Sequence, residues 1–450
     1  MALLTWTVVQ YHDGFMATWH NWARTETASP RRFDTPSTVD DLAAVVAGAS
    51  RRGERVKAVG AGHSFTGAAV TDGTMISLDE MSGVLSVEPT STGALVTVCA
   101  GTRLHELSAL LWTMGLALPN LGDIDVQSIA GAVSTGTHGT GTQFTGLATS
   151  VRGLTMVLAD GSVAECSPEH DPALFEAARL GLGALGVLAT LTLECVPAFR
   201  LRAHEAPSSL RATLADVESL RTGVDHFEFY WFPHTDGVLT KHNTRLEGQA
   251  PVQPVGRIRG LIDDELLSNG VFSVFQQVGT RAPGAIPPLN RVASRALSAR
   301  TFVDRSYRVF ASNRRVRFRE MEYAVPVEAL PTVLREIESW LQSDGTRIGF
   351  PVEVRFAAPD DVWLSTAYGR ETAYVAVHQY HRRDHRAYFA AVEQIMRAVD
   401  GRPHWGKLHG RTADDLRTTY PRFDDFLAVR DRVDPKRVFA NPYLDRVLGV

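Results

Sequence analysis

The sequence predicts an α+β protein made of two regions that meet near residue 198. Three observations point that way. From about residue 34 to 197, short β-branched runs alternate with helical spacings and glycine-rich turns. Beyond residue 198, strand signals and separate amphipathic helices follow, the pattern of an antiparallel sheet with helices on one face. The chain is also long enough for more than one core. Its 450 residues, 44% apolar and 21% charged, correspond to two or three domains at ~150 residues each, and folding at this size buries about three quarters of the extended surface.

In the first region, residues 55–59, 75–78 and 95–100 read as strands. Leu104, Leu107, Leu111 and Met114 recur at three- and four-residue intervals, so they share one helix face, and Gly115 ends that helix. Residues 151–158 and 162–166 flank Asp160-Gly161, a hairpin turn. Asp171-Pro172 opens a helix, because proline lacks only an N–H that the first helical position leaves unused. Residues 187–196 form a strand that Pro197 closes. In the second region, 227–232 and 238–242 read as antiparallel strands, and 246–300 as a long irregular or helical excursion rich in Gly, Pro and Arg. A strand over 317–325 precedes a helix carrying Leu330, Val333, Leu334, Ile337 and Leu341 on one face. Strands at 351–356 and 373–380 and a helix over 386–399 complete it.

Lysine and arginine total 46 against 50 acidic residues, a net charge of −4. No overall basic field draws nucleic acid or anionic lipid. The most basic stretch, 300–319, reads as a solvated strand, with a nucleic-acid or lipid patch as the alternative. Lysine is scarce: Lys57, Lys241, Lys407 and Lys436 stand among 42 arginines. Three widely spaced cysteines, Cys99, Cys166 and Cys195, read as buried thiols of a reducing compartment. The apolar run at 2–9 is too short to span a bilayer. A cytoplasmic protein with no integral membrane segment is expected.

Four segments could carry chemistry. The first is Val59-Gly60-Ala61-Gly62-His63-Ser64-Phe65. A dinucleotide fingerprint would need a third glycine where Phe65 stands, and a helix directly after it. What remains is a tight loop whose backbone amides can cradle a phosphate, with His63 in its middle; taken alone, His63 reads as a structural loop histidine. The second, residues 128–141, holds four glycines, two alanines and six hydroxyl or imidazole side chains. Small residues permit close backbone approach by a ligand, and Ile129 and Val133 argue against a free linker. The third, Glu353-Val354-Arg355, puts both charges on one strand face, either a solvated edge or the floor of a polar pocket. The fourth, His404-Trp405-Gly406-Lys407-Leu408-His409, gathers a rare lysine and two histidines, with a hinge loop as its bland alternative. No Cys or acidic partner stands at zinc spacing, so no metal site is expected.

Together and in this order, GAGHS (60–64), STGTHGTG (134–141), EVR (353–355) and HWGK (404–407) make the chain resemble the FAD-linked sugar-1,4-lactone oxidase and dehydrogenase family of the vanillyl-alcohol-oxidase superfamily, and in particular its bacterial gulonolactone dehydrogenases. The likeness runs from about residue 20 to the end. It implies an N-terminal extension at 1–29, a two-subdomain FAD-binding domain at 30–197 and an α+β substrate domain at 198–450. It also implies that the FAD pyrophosphate lies between Gly60, Ala61, Gly62, His63 and Ser64 on one side and Ser128, Gly131, Ser134, Thr135, Thr137, His138 and Gly139 on the other. Gly122 would be nearby, with Val187 and Leu188 against the adenine or isoalloxazine. His63 matches a histidine that many members bond covalently to the flavin, which raises the flavin's reduction potential.

The implied reaction is oxidation of an aldono-1,4-lactone, such as L-gulono-1,4-lactone, by hydride transfer to the flavin. Glu353 and Arg355 would orient the substrate, and Lys407 would stabilise its oxygen or assist its deprotonation. His378 and Tyr380, on one strand face with Gln379 opposite, would line the pocket. Two departures stand out. Asp123 replaces a serine with which alditol oxidases bind substrate. Gly122 lies where galactonolactone dehydrogenases carry an oxygen-shielding alanine, and glycine would leave space for oxygen. The electron acceptor is molecular oxygen or a quinone or redox protein. An alditol or other alcohol oxidase on the same fold is the alternative. A flavin- or sugar-binding protein without turnover is disfavoured by the Glu353, Arg355 and Lys407 set. A peptidoglycan-precursor reductase is disfavoured because nothing resembles its nicotinamide-using domain.

Overall fold

A computed structural model describes residues 10–12, 15–246, 251–253, 270, 272–312 and 316–450. Residues 1–9 lie outside the described residues, as do 247–250, 254–269 and 271 of the 246–300 excursion, whose described part carries helices Phe272–Arg281 and Ile286–Arg295. Strands β1 (Gln10–His12), β2 (Phe15–His20) and β3 (Thr27–Ala28) form a small antiparallel sheet. Strands β4 (Arg32–Asp34), β5 (Val56–Val59) and β6 (Thr74–Ser77) form a parallel one, in the order β4-β6-β5. Helix Val39–Arg51 connects β4 to β5; Thr38 caps it by accepting from the Asp41 N–H, and Leu42, Val46 and Ala49 are its buried face. That helix was not anticipated, because its apolar positions are mostly alanine and valine.

The next sheet is antiparallel: β7 (Val84–Pro89), β8 (Ala94–Cys99), β9 (Leu116–Ala117), β10 (Val151–Val157), β11 (Val163–Cys166) and β12 (Val187–Pro197), ordered β11-β10-β12-β8-β7 with β9 on β12. Helix Leu104–Thr113 and the β10–β11 hairpin fall where the spacing and the Asp-Gly turn place them. The 128–141 segment opens with a short helix, Ile129–Ser134, capped by Ser128 and anchored by buried Ile129, Ala132 and Val133.

Beyond residue 198 the strands β13 (Arg200–Ser209), β14 (His226–Trp231), β15 (Gly237–Leu246), β16 (Arg300–Arg305), β17 (Phe318–Pro326), β18 (Val352–Ala357), β19 (Thr372–Tyr380) and β20 (Arg402–Pro403) join one antiparallel sheet, ordered β16-β13-β15-β14-β18-β19-β17-β20. Helices Leu330–Asp344 and Arg386–Arg397 cover one face, packing Leu334, Ile337 and Val392 on Met321, Val354 and Val375. The other face is polar yet buried, since Glu320, Glu322, Glu353 and Arg355 are at most 7% exposed. Among the described residues, no helix is long and apolar enough to cross a membrane.

Three expectations need correction. The chain from Trp19 onward is no appendage: Trp19 and Asn21 are buried, and the segment grips the 60–65 loop. The C-terminal helices Ala413–Arg417, Phe423–Val433 and Pro442–Leu448 return to the first region, where Phe426, Leu444 and Val447 join its core. The basic 300–319 stretch is not one strand: it runs as β16 over Arg300–Arg305, then helix Ser306–Phe310, and enters β17 at Phe318, with residues 313–315 outside the described set.

Candidate active site

The 60–64 loop leaves the carboxyl end of β5, where parallel sheets present their ligand crevices. Gly62 holds φ +66°, a backbone that favours glycine, and a Cβ at Gly60 would collide with Ser128 Oγ. The two glycine-rich loops therefore touch. Gly60, Ala61, Gly62, His63 and Ser64 line one cleft with Ser128, Gly131, Ser134, Thr135, Val187 and Leu188. Lys57 lines it too, donating to the Gly183 and Phe439 carbonyls at 2.8 and 3.2 Å.

His63 stacks on Trp22, ring centroids 5.0 Å apart, and its buried Nδ1 has no hydrogen-bond partner. Burial, then the nearby Lys407 charge, pushes its pKa down to about 4, so the ring is a neutral nucleophile at pH 7. The loop is clasped from both sides. Asn21 Nδ2 donates to the Ser64 carbonyl at 2.9 Å and the Trp22 N–H to Gly62 at 2.8 Å, while the Phe65 N–H donates to Gly406 at 2.8 Å. That last bond joins the first motif to the HWGK segment.

The third motif stands on the buried polar face of the large sheet. Glu353 and Arg355 form an ion pair, Arg355 Nε donates to Glu228 Oε2 at 3.1 Å, and Arg355 Nη2 lies 3.3 Å from Asp123 Oδ2. Tyr230 donates its hydroxyl to Glu353 at 3.1 Å, and Lys241 Nζ donates to Glu228 at 2.8 Å. Burial opposes the Glu228 charge, but Lys241 and Arg355 outweigh it and hold the carboxyl down at about 2.

Lys407 Nζ lies 2.5 Å from Glu320 Oε2. Burial alone would lower its pKa; the carboxylates of Glu320 and Glu322 reverse this and keep it an ammonium. His378 places Nε2 3.5 Å from Glu320 Oε1 and Nδ1 3.2 Å from the Pro351 carbonyl. The four expected catalytic residues, Lys407, Glu353, Arg355 and His378, thus share one sheet face or the loop beside it, and Asp123 reaches that face from the first region.

Other expected residues lie elsewhere. Thr137, His138, Gly139 and Gly122 do not line the cleft. The His138 ring stacks on Tyr374 at 3.5 Å, its Nδ1 lies 2.9 Å from the Gly139 carbonyl, and its Nε2 lies 3.4 Å from Glu322. A Cβ on Gly122 would press the His138 carbonyl at 3.1 Å and the Thr137 methyl at 3.3 Å. The Tyr380 ring belongs to an aromatic cluster with Phe65, Phe318 and Phe350 rather than to the charged row. Through space, one ligand atom each of His138, Glu322 and His404 lies within 4.8 Å of the others, a grouping invisible to local spacing. Yet the Gly406 N–H donates to His404 Nδ1 at 3.0 Å, and burial lowers this histidine to about 3, so its remaining Nε2 carries the proton and offers no lone pair to a metal. Sequence reading missed Glu228, Tyr230, Lys241, Glu320, Glu322 and Trp22. The available signal was Glu320 and Glu322 alternating with apolar Met321 and Tyr323.

A D-arabinono-1,4-lactone oxidase family model matches residues 191–447, and an FAD-binding domain model matches 30–167. The chain is 46% identical over 432 residues to the L-gulono-1,4-lactone dehydrogenase of Mycobacterium tuberculosis, covering 96% of this chain and 99% of that protein. This chain belongs to the D-arabinono-1,4-lactone oxidase family. Its relatives include the L-gulonolactone oxidase of Bos taurus, 34% identical over 95% of this chain and 97% of that one, and the alditol oxidase of a Streptomyces species, 32% identical over 95% and 98%. The fold matches that of cholesterol oxidase from B. sterolicum, with a TM-score of 0.80, 19% identity and 96% of each chain covered. Like the family, the protein is an FAD-dependent oxidoreductase acting on CH–OH groups. The residues present fit FAD: two glycine-rich loops close enough to share a phosphate, and an orphaned, neutral imidazole at the end facing the charged row.

Proposed function

We propose that this protein oxidises an aldono-1,4-lactone of the L-gulono-1,4-lactone kind, in a domain frame of 30–197 for FAD and 198–450 for substrate, with the C-terminal helices bracing the former. The observation that carries the reading is the convergence of His63, Lys407 and the Glu353–Arg355–Asp123 group on one buried surface. FAD, held along 60–64 and 128–135, supplies the hydride acceptor. The protein supplies the rest. Glu353 and Arg355 orient the hydroxyls of a polyhydroxylated ring; the guanidinium is fixed by three carboxylates, so little ordering remains when substrate binds. The Lys407 ammonium faces the reacting oxygen and stabilises its developing charge more than the neutral alcohol. The His63 nitrogen forms the covalent flavin bond. Molecular oxygen, a quinone or a redox protein takes the electrons away.

Anaerobic bleaching of the flavin absorbance tests the substrate. L-gulono-1,4-lactone should bleach it at micromolar enzyme within seconds, and xylitol or sorbitol far more slowly; bleaching by alditols alone would replace this reading. Acid precipitation tests the bond: the pellet should stay yellow in the wild type and release FAD in His63→Ala.

A further inference from the structure

Glu320 takes no part in the roles assigned above. It is 5% exposed on β17, and its two oxygens have different neighbours: Oε2 holds the Lys407 ammonium at 2.5 Å, and Oε1 lies 3.5 Å from His378 Nε2. His378 Nδ1 faces the Pro351 carbonyl, which can only accept, so Nδ1 bears a hydrogen and Nε2 is the nitrogen turned to Glu320 Oε1. That Nε2 is buried. An imidazole nitrogen and a carboxylate oxygen set this close share a proton in a charge-assisted bond. Lys407 cannot supply the basic atom, because it already carries all its protons.

We propose that Glu320 and His378 are the proton-accepting pair of this site, receiving the hydroxyl proton of the substrate between Oε1 and Nε2. The inference rests on the function proposed above. The O–H bond breaks and its electron pair becomes the second bond of the new carbonyl. The C–H bond breaks and its pair leaves as hydride to the bound flavin. Lys407 stays an ammonium on Oε2 throughout, and the hydroxyl proton passes to the Oε1 and Nε2 side of the pair. The charged and titratable groups around Glu320 are Lys407 and His404 on the HWGK loop, His378 on β19, Glu322 on its own strand and His63 across the cleft. Glu322, by contrast, is committed to His138.

Glu320→Gln keeps the shape and removes the acceptor. With full flavin content, its anaerobic bleaching at saturating lactone should fall about 100-fold, the range of a lost general base. The apparent lactone affinity should stay within about threefold, because an interaction made only in the transition state lowers the rate and leaves ground-state binding alone. Its residual rate should climb with pH as hydroxide replaces the missing group, and Glu320→Asp should recover at least about tenfold. A Glu320→Gln rate within threefold of the wild type, or a pH-independent loss that Asp does not rescue, would overturn the proposal. If that variant fails to bind flavin, His378→Gln is read by the same criteria. Wild-type bleaching by the lactone is measured first, so a wrong substrate is seen there, and the variants are then compared with whichever alcohol bleaches the wild type.

Discussion

On β17, Met321, Tyr323 and Val325 press against two helices, while Glu320 and Glu322, one residue out of phase, look toward the FAD-binding region. The two faces of this sheet are equally buried and chemically opposite. On the helix-covered face each side chain contributes by area, and a neighbour of similar shape would serve. On the other, each group is held by a named partner: Lys407 by Glu320, Arg355 by Glu353, Glu228 and Asp123. Burial of so many charges works against stability unless every one is paired. A face of this kind persists because the chemistry needs fixed charge in a water-poor place.

Substitutions on the two faces should therefore fail in different ways. The largest effect is expected from Lys407→Met. It removes the cation beside the developing alkoxide, so flavin reduction should fall by about 100- to 1,000-fold, with kcat affected more than KM. It also leaves Glu320 without its closest counter-charge, so the melting temperature should drop as well. Lys407→Arg should not restore the rate, since a planar guanidinium cannot occupy the ammonium's place between Glu320 and the substrate. Met321→Ala, next to Glu320 but on the apolar face, should cost about 2–5 kcal/mol of stability by denaturant titration. Its rate of flavin reduction, measured where it is fully folded, should stay that of the wild type. A change of rate in Met321→Ala would mean that the two faces are coupled.

The contrast also explains what the sequence made legible. Helix Leu330–Asp344 and strands β17, β18 and β19 are evident because their apolar face repeats at a fixed period, and so is the helix at Leu104–Thr113. Strand β13 was missed because only Leu201 and Ala203 are apolar on its buried face, and Glu205 takes the next inward place, paired with Arg300 on the neighbouring β16. The site divides in the same manner. His63, Lys407, Glu353 and Arg355 sit in compact motifs that chain order reveals. Glu228, Lys241 and Glu320 act through partners 127, 13 and 87 positions away, as Arg355, Glu228 and Lys407, and only the sheet and the loop docked on it bring them together. His138 shows the converse: its motif fits a phosphate loop, but its ring turns to Glu322 and Tyr374.

The smallest effect is expected at neutral pH and appears only in acid. Glu228 and Glu320 are each held at about 2, against an ordinary 4.5. Burial pushes both upward, and the partners beside them more than reverse it: Lys241 and Arg355 for Glu228, Lys407 and His378 for Glu320. Between those values the unfolded chain binds protons that the folded one refuses, so stability must rise with pH across that window. Their contribution is whole above about pH 4.5 and is lost as the pH falls toward 2. Tyr323 and Tyr388 on the apolar face are raised by burial and stay neutral throughout, so they add no slope. Urea titrations from about pH 6 to 2 at constant ionic strength should show the wild type losing stability steeply below about pH 4.5. Glu228→Gln should lose less over the same range, and the gap between the two curves should close as about pH 2 is approached. Parallel curves would show that Glu228 carries its charge without stabilising the fold, leaving Arg355 held by Glu353 and Asp123 alone.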